Sequence, residues 1–294
     1  MRITTQTMVS QTLNRLQSRL ASFDRAQNQL SSGKIFLNAS EDVSGMNTAL
    51  GLRSERRSVE QANRNANDAS TRINLADSKL QAMLSTMRRA RDLAIRGAST
   101  LQPSERNAIS EEITSIRDEM VELSNNSFLG HGLFAGTAAG DAVADVAGTW
   151  TYTGDDGILQ RRISTTETIS VNLLGSDILG FDDGETAFDV LDQLATDVTA
   201  GNTTAVSNGL DAIDRVTGRI ETGLARLGAA GNRIEVALGR NLEIDETLQR
   251  QVSQVEDVDI AEAIMKVNTE EIALQTTLGA IGRAIQPSLL NFLR

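Results

Sequence analysis

Cysteine is absent from all 294 residues, so no disulfide framework, thiolate nucleophile or thiolate metal site can form. There is one histidine, His131, which rules out a catalytic histidine pair and a two-histidine metal site. Proline occurs twice, at Pro103 and Pro287. Each proline removes a helix hydrogen bond and clashes with the preceding turn, so their scarcity leaves room for very long helices. Aromatic residues make up only 3% of the chain, and Ala, Leu, Ile and Val must supply most of a thin core. No run of 18 apolar residues is present, so no membrane-inserted segment is expected. The opening "MRITTQTMVSQTLNRL" lacks the charged region followed by an apolar block that marks a cleaved secretory signal. That leaves a cytoplasmic chain or one exported by another route.

Basic charge is also in short supply. The net charge of −11 argues against a nucleic-acid partner. It is unevenly spread, near +3 over residues 1–130 and −14 over 131–294, which suits a fold whose halves lie alongside each other.

What the chain has in quantity is apolar spacing that alternates three and four residues. One seam runs Val9, Leu13, Leu16, Leu20, Phe23, Gln27, Leu30 and stops at "SSGK". A second runs Val59, Ala62, Ala66, Ala69, Ile73, Ala76, Leu80, Met83, Met87, Ala90, Ala94, in a helix beginning near Ser40 with Glu41 and Asp42 in its first turn. A shorter helix follows Pro103, with Ile109, Ile113, Ile116, Met120 and Leu123 on one side. A third long seam runs from Val206 to Leu238 and continues less regularly through Leu248, Val252 and Val255. The last is Ile264, Val267, Glu271, Leu274, Leu278, Ile281, Ile285, introduced by Asp259 and Glu262 spaced like a capping box.

Between residues 136 and 185 the pattern changes. "TWTYT", "GILQRRI" and "TETISVNLL" are short and β-branched or aromatic, and "TGDDG" reads as a hairpin turn between the first two. The first and last seams each span 22 residues, about 33 Å as helix. A lone helix of that length is poorly stable in water, so the two ends are expected to pair as one coiled coil. The expected fold is mainly α: a long antiparallel coiled-coil and helical-bundle rod with paired N- and C-terminal helices and a small β-rich insertion. Its parts are a terminal domain (1–40 and 256–294), a middle bundle (41–136 and 186–255) and an outer β-rich domain (137–185).

Candidate chemistry is sparse. His131 sits alone in a loop. Asp155 and Asp156 in "GDDG" lack the spaced ligands of a calcium loop, and the turn reading takes precedence. Glu111 with Glu112, and Asp182 with Asp183, are adjacent in sequence and read as solvated surface. The glycine-rich "GLARLGAAGNR" lies inside a helical seam with no strand before it, so it does not cradle phosphate; its small residues read as sites of close helix approach. "MRRAR" (87–91) reads as a solvated face. No catalytic residue, cofactor or metal is expected.

The apolar matter left over lies at the ends. Ile260 and Ile272 stand off the last seam, and Leu289, Leu290, Phe292 and Leu293 lie beyond it, past a Pro287 expected to interrupt the helix. Ile3 and Met8 precede the first seam among uncharged Thr, Gln and Ser. Apolar, unsolvated ends read as an assembly surface.

Two segments carry a family resemblance. "QANRNANDASTRINLAD" (61–77) is similar to the N-terminal helical segment of the flagellin family, and "QVEDVDIAEAIMKVNTEEIALQTTLGAIGRAIQPSLLNFLR" (254–294) resembles its C-terminal signature. "MRITTQTM" and "GLFAGT" resemble more narrowly the type-3 hook-associated branch, the hook–filament junction proteins, as does "YTGDDGILQRRIS". The resemblance covers about 1–135 and 186–294. It implies terminal helices that are disordered in the free monomer and fold on assembly. It also implies secretion through the flagellar export channel to the extracellular flagellum.

The expected function is that of a flagellar structural subunit joining hook to filament and polymerising through its terminal helices, and not that of an enzyme. The assembly residues would be Val9, Leu13, Leu16, Leu20, Phe23 and Leu30 with Ile264, Val267, Leu274, Leu278, Ile281 and Ile285. Leu289, Leu290, Phe292 and Leu293 would meet neighbouring subunits and an export chaperone. Partners would be further copies in a ring or helical layer, the adjacent hook-associated protein and flagellin. The alternatives are a filament flagellin and, more distantly, an intracellular coiled-coil adaptor.

Overall fold

The computed structural model describes residues 5–99 and 102–292, with side chains over 10–99 and 102–282. It divides into two compact units, one gathering residues 1–57 and 245–294 and the other residues 58–244. Seven helices are described: α1 (Thr5–Ser32), α2 (Val43–Gly97), α3 (Pro103–Ser124), α4 (Gly175–Leu179), α5 (Ala187–Ala200), α6 (Thr203–Glu256) and α7 (Ile260–Phe292). Helices α2 and α6, 55 and 54 residues long, contribute to both units.

Local signals set the helix ends. Pro103 opens α3, and the Glu105 carboxylate accepts the Gln102 N–H at 2.9 Å. Asp259 caps α7, its Oδ1 accepting the N–H of Ala261 at 2.8 Å and of Glu262 at 3.3 Å. The start of α2 differs from expectation. The helix begins at Val43, so Glu41 and Asp42 precede it; Asp42 caps it by accepting the Gly45 N–H at 2.9 Å. Meanwhile Glu41 turns back to the Leu37 N–H at 2.9 Å. The far end of α7 also differs. The helix continues through Pro287 to Phe292. A proline forfeits its own N–H bond but leaves later residues free to bond, so it need not end a helix.

Within the second unit the seams are buried as their spacing requires. Every residue of the α2 seam from Val59 to Ala94 is buried. Ile113, Ile116 and Met120 of α3 and Val206, Ile213, Ile220, Leu227 and Ile234 of α6 are buried with them. Helix α5 packs along α3 and adds Phe188, Leu191, Leu194 and Val198. It went unrecognised among the long seams, although Thr186 caps it through the Asp189 N–H at 3.0 Å and Gly201 ends it in the left-handed conformation.

Six short strands form three antiparallel hairpins: β1 (Ser127–Phe128) with β2 (His131–Gly132), β3 (Val143–Val146) with β4 (Thr149–Tyr152), and β5 (Gln160–Arg162) with β6 (Thr168–Ser170). "TGDDG" therefore does not join a hairpin, because the strands on either side of it pair elsewhere. The turn that closes β3–β4 is Ala147–Gly148, with φ of 56° and 80°. Leu129–Gly130, at 52° and 81°, closes β1–β2 in the same way. Two positive φ values in a two-residue loop match the twist of the strands. Ala and Leu are unusual in the first position, which is why neither turn stands out in the sequence.

The two units should respond differently to truncation of an apolar side chain. Ile116→Ala should cost about 2–5 kcal/mol, as for any fully buried large residue. Leu20→Ala on α1, where Leu20 is 42% exposed, should cost about 1 kcal/mol or less in the free monomer. Urea unfolding of the two variants measures the difference.

Candidate assembly surface

Helices α1 and α7 pack against each other. They run antiparallel: Arg19 meets Glu270 at 3.4 Å, and the Lys266 ammonium donates to Gln29 Oε1 at 3.1 Å. An antiparallel bridge joins Lys34 and Asp257 below them. There the Ile35 N–H donates to the Glu256 carbonyl at 2.7 Å and the Val258 N–H to the Gly33 carbonyl at 3.0 Å.

That joint is held by charge. The Glu256 carboxylate is buried, receives Arg53 at 2.6 Å and lies 3.4 Å from Lys34. Lys34 reaches Asp257 at 2.6 Å, and Ser253 Oγ donates to the other Asp257 oxygen at 2.5 Å. Arg56 pairs with Asp245 at 2.9 Å. The Lys34 hydrogen bond, then that of Ser253, holds the Asp257 carboxyl below its ordinary pKa. The Asp257 hydrogen bond raises Lys34.

The helix pair itself is thinly covered. Among the described residues, its buried apolar side chains are Ala26 and Ala263. Of the expected assembly residues, Leu16, Phe23, Leu30, Val267, Leu274 and Ile281 are half-buried. Leu13, Leu20, Ile264 and Leu278 are exposed. Off the seam, Ile260, Met265 and Ile272 are each more than 60% exposed, and Met265 and Ile272 stand seven apart on one face of α7. The side chains of Val9, Ile285, Leu289, Leu290 and Phe292, and all of Leu293, lie outside the described residues.

The remaining candidates are accounted for by local contacts. His131 begins β2 and is exposed. Asp155 accepts the Thr137 N–H at 2.6 Å, the Thr137 hydroxyl at 2.7 Å and the Gly157 N–H at 3.0 Å, and the Thr137 N–H is the main cause of its lowered pKa. It is a staple across a loop whose pivot, Gly136, has φ of 72°. Asp183 pairs with Arg219 at 3.2 Å. Arg89 and Arg91 of "MRRAR" are half-exposed and pair with Glu119 and Asp214. Of the glycines in "GLARLGAAGNR", Gly223 is packed by Leu80 of α2, where an added Cβ would lie 3.4 Å from the side chain, whereas Gly228 and Gly231 face open space. Among the described residues no acidic or histidine cluster could hold a metal ion, and no helix is long and apolar enough to cross a membrane.

A helical unit with a continuous buried core, and a pair of terminal helices whose large apolar residues are left half-buried or exposed among the described residues, have the features of a structural subunit. Family comparison makes this specific. Residues 3–139 match the bacterial flagellin N-terminal helical region, and residues 210–293 match the C-terminal helical region. The chain belongs to the flagellin family and is a structural component of the bacterial flagellum. It is 27% identical to the flagellin of Bacillus subtilis over the full length of both chains, and 25% identical to that of Halalkalibacterium halodurans over 92% of this chain and 91% of the other. Its fold is shared with a Vibrio parahaemolyticus protein described as a flagellar hook-associated protein. There the TM-score is 0.70 and the identity 20%, over 74% of this chain and all of the other. It is also shared with FlgL of Xanthomonas campestris, with a TM-score of 0.61 and 18% identity over 67% of this chain and 97% of the other.

The charged joint gives a pH dependence. Because the folded pKa of Asp257 is depressed, its contribution is complete above its unfolded value near 4 and is lost as pH falls through the lower folded value. Lys34, raised in the fold, contributes fully below about 10 and loses its contribution as pH rises through the folded value. Asp257→Asn should lower the thermal midpoint of the terminal helices between about pH 5 and 9. The gap from the wild type should close in strong acid. Circular dichroism melts across pH measure this.

Proposed function

We propose that this chain is the subunit that joins hook to filament and that it polymerises through α1 and α7. In this reading residues 1–40 and 256–294 form the assembly part, residues 41–136 and 186–255 the middle bundle, and residues 137–185 an outer β-rich part. The observation that carries polymerisation is the contrast in burial: the seams of α2, α3 and α6 are covered, whereas Leu13, Leu20, Ile264, Met265, Ile272 and Leu278 are exposed. Covering the exposed half of each such side chain against another copy is worth about 1 kcal/mol. The junction reading is supported by the fold shared with hook-associated proteins. Filament flagellin is the second reading, favoured by the full-length match to the Bacillus subtilis flagellin. Immunogold electron microscopy of intact flagella separates the two. The junction reading requires label in one thin band at the filament base, and label along the whole filament would replace it with the second.

The reading includes secretion through the flagellar channel, an export chaperone before assembly, and contact with the adjacent hook-associated protein and flagellin afterwards. Leu289, Leu290, Phe292 and Leu293 are the tail residues proposed to serve both the chaperone and the neighbouring subunits. The double substitution Leu290→Asp, Phe292→Asp should leave the helical circular dichroism of the middle bundle unchanged. It should abolish incorporation into shed flagella and weaken chaperone binding. Normal motility and incorporation would remove the tail from the assembly surface.

A further inference from the structure

A buried arginine stands out within the 58–244 unit. Arg72 lies on the buried face of α2 and is only 5% exposed. One of its nitrogens, Nη2, donates to the Gly132 carbonyl at 2.9 Å, while Nε finds no acceptor among the described residues. Arg106 and Arg219 also leave Nε unpaired, but both side chains stay partly exposed, and Arg219 pairs with Asp183. Arg72 borders a cavity of about 140 Å³ that also draws on Asp68, His131, Thr137 and Arg161 and has apolar walls from Phe128 and Leu159. This is room for roughly four waters.

The charges around the cavity do not balance. Two guanidinium groups face it with one carboxylate, and Asp68 is engaged by Arg161 Nε at 3.4 Å. Asp155, behind Thr137, already accepts three hydrogen bonds. Burial, and then the charge of Arg161, push the pKa of Arg72 below its ordinary value. Asp68 offsets part of this charge but is shared with Arg161, so the two guanidinium groups keep a surplus of positive charge that a bound anion would offset. The planar fork of arginine donors suits the oxygens of a tetrahedral oxyanion.

We propose that this cavity binds a small free oxyanion of the phosphate class, held by Arg72 from the floor and Arg161 from the rim, with His131 beside them. Binding would tie α2, the β1–β2 hairpin and β5 together at one point.

The test is isothermal titration of inorganic phosphate into the purified full-length chain at constant ionic strength, with chloride as the control. Wild type should bind saturably. Arg161→Gln changes a partly exposed residue and leaves the Arg72–Gly132 bond in place. It should weaken phosphate binding about tenfold or more, the loss expected for one charge-assisted hydrogen bond. Arg72→Lys, checked for folding by circular dichroism, should weaken it further. Absence of saturable binding in the wild type, or undiminished binding in Arg161→Gln, would overturn the proposal and leave Arg72 as a structural tie to Gly132.

Discussion

Two helices lying side by side shield only the faces they turn toward each other. That limit governs how this protein divides its labour. In the 58–244 unit, α2 is flanked by enough partners that its whole seam from Val59 to Ala94 is covered. In the other unit α1 and α7 have each other, and among the described residues their large apolar side chains stay half-buried or exposed while two alanines occupy the tightest positions. Since helical stability in water comes mostly from packing an apolar stripe, the pair is stable in proportion to what else covers it. In the proposed assembly, burial gained from neighbouring copies would turn that deficit into a driving force.

The joint at Glu256 deals with a different difficulty. A buried carboxylate is tolerated only when it is paired and hydrogen-bonded. Arg53 and Lys34 come to it from α2 and from the turn after α1, so the end of α6 can be placed only with both of those segments present. The backbone bridge between residues 33–35 and 256–258 adds direction, which a screened surface ion pair alone would not provide. Truncating either partner of Glu256 leaves a buried charge behind, so the joint gives register at the base of the terminal helices even where it adds little net stability.

The β-rich segment is organised by side chains that reach across loops. Asp155 closes the loop at Thr137, Tyr152 donates its hydroxyl to the Phe134 carbonyl at 2.9 Å, and Trp150 donates its indole N–H to Asp192 at 2.9 Å. Three two-stranded hairpins would be marginal alone. Against α2, α3 and α5 they bury Leu133, Phe134, Val143 and Ile169 and become part of one core. Arg72 enters the same core from α2, which is how a charged side chain comes to sit beside a cavity between a helix and two hairpins.

Periodicity and caps are local properties, so the sequence by itself determined the long helices, the α2 seam, the Asp259 cap, the Pro103 start and the β-branched interruption between them. The pairing of the two chain ends was also legible, because two exposed stripes of equal length need a partner. The helix α5 carried a cap, an apolar period and a terminal glycine, and was missed only because it is short beside its neighbours. Other features depend on residues far apart in the chain. That β4, before "TGDDG", pairs back with β3 goes with the positive-φ turn at Ala147, which carries none of the usual Asn or Asp. That Asp155 serves Thr137 as well as its own turn at Gly157, that Glu256 is buried between Arg53 and Lys34, and that Arg72 lies beside Arg161 were all decided by tertiary structure. Hydrogen bonds and charge pairs act over a few ångströms of space, and separation along the chain carries no record of that distance.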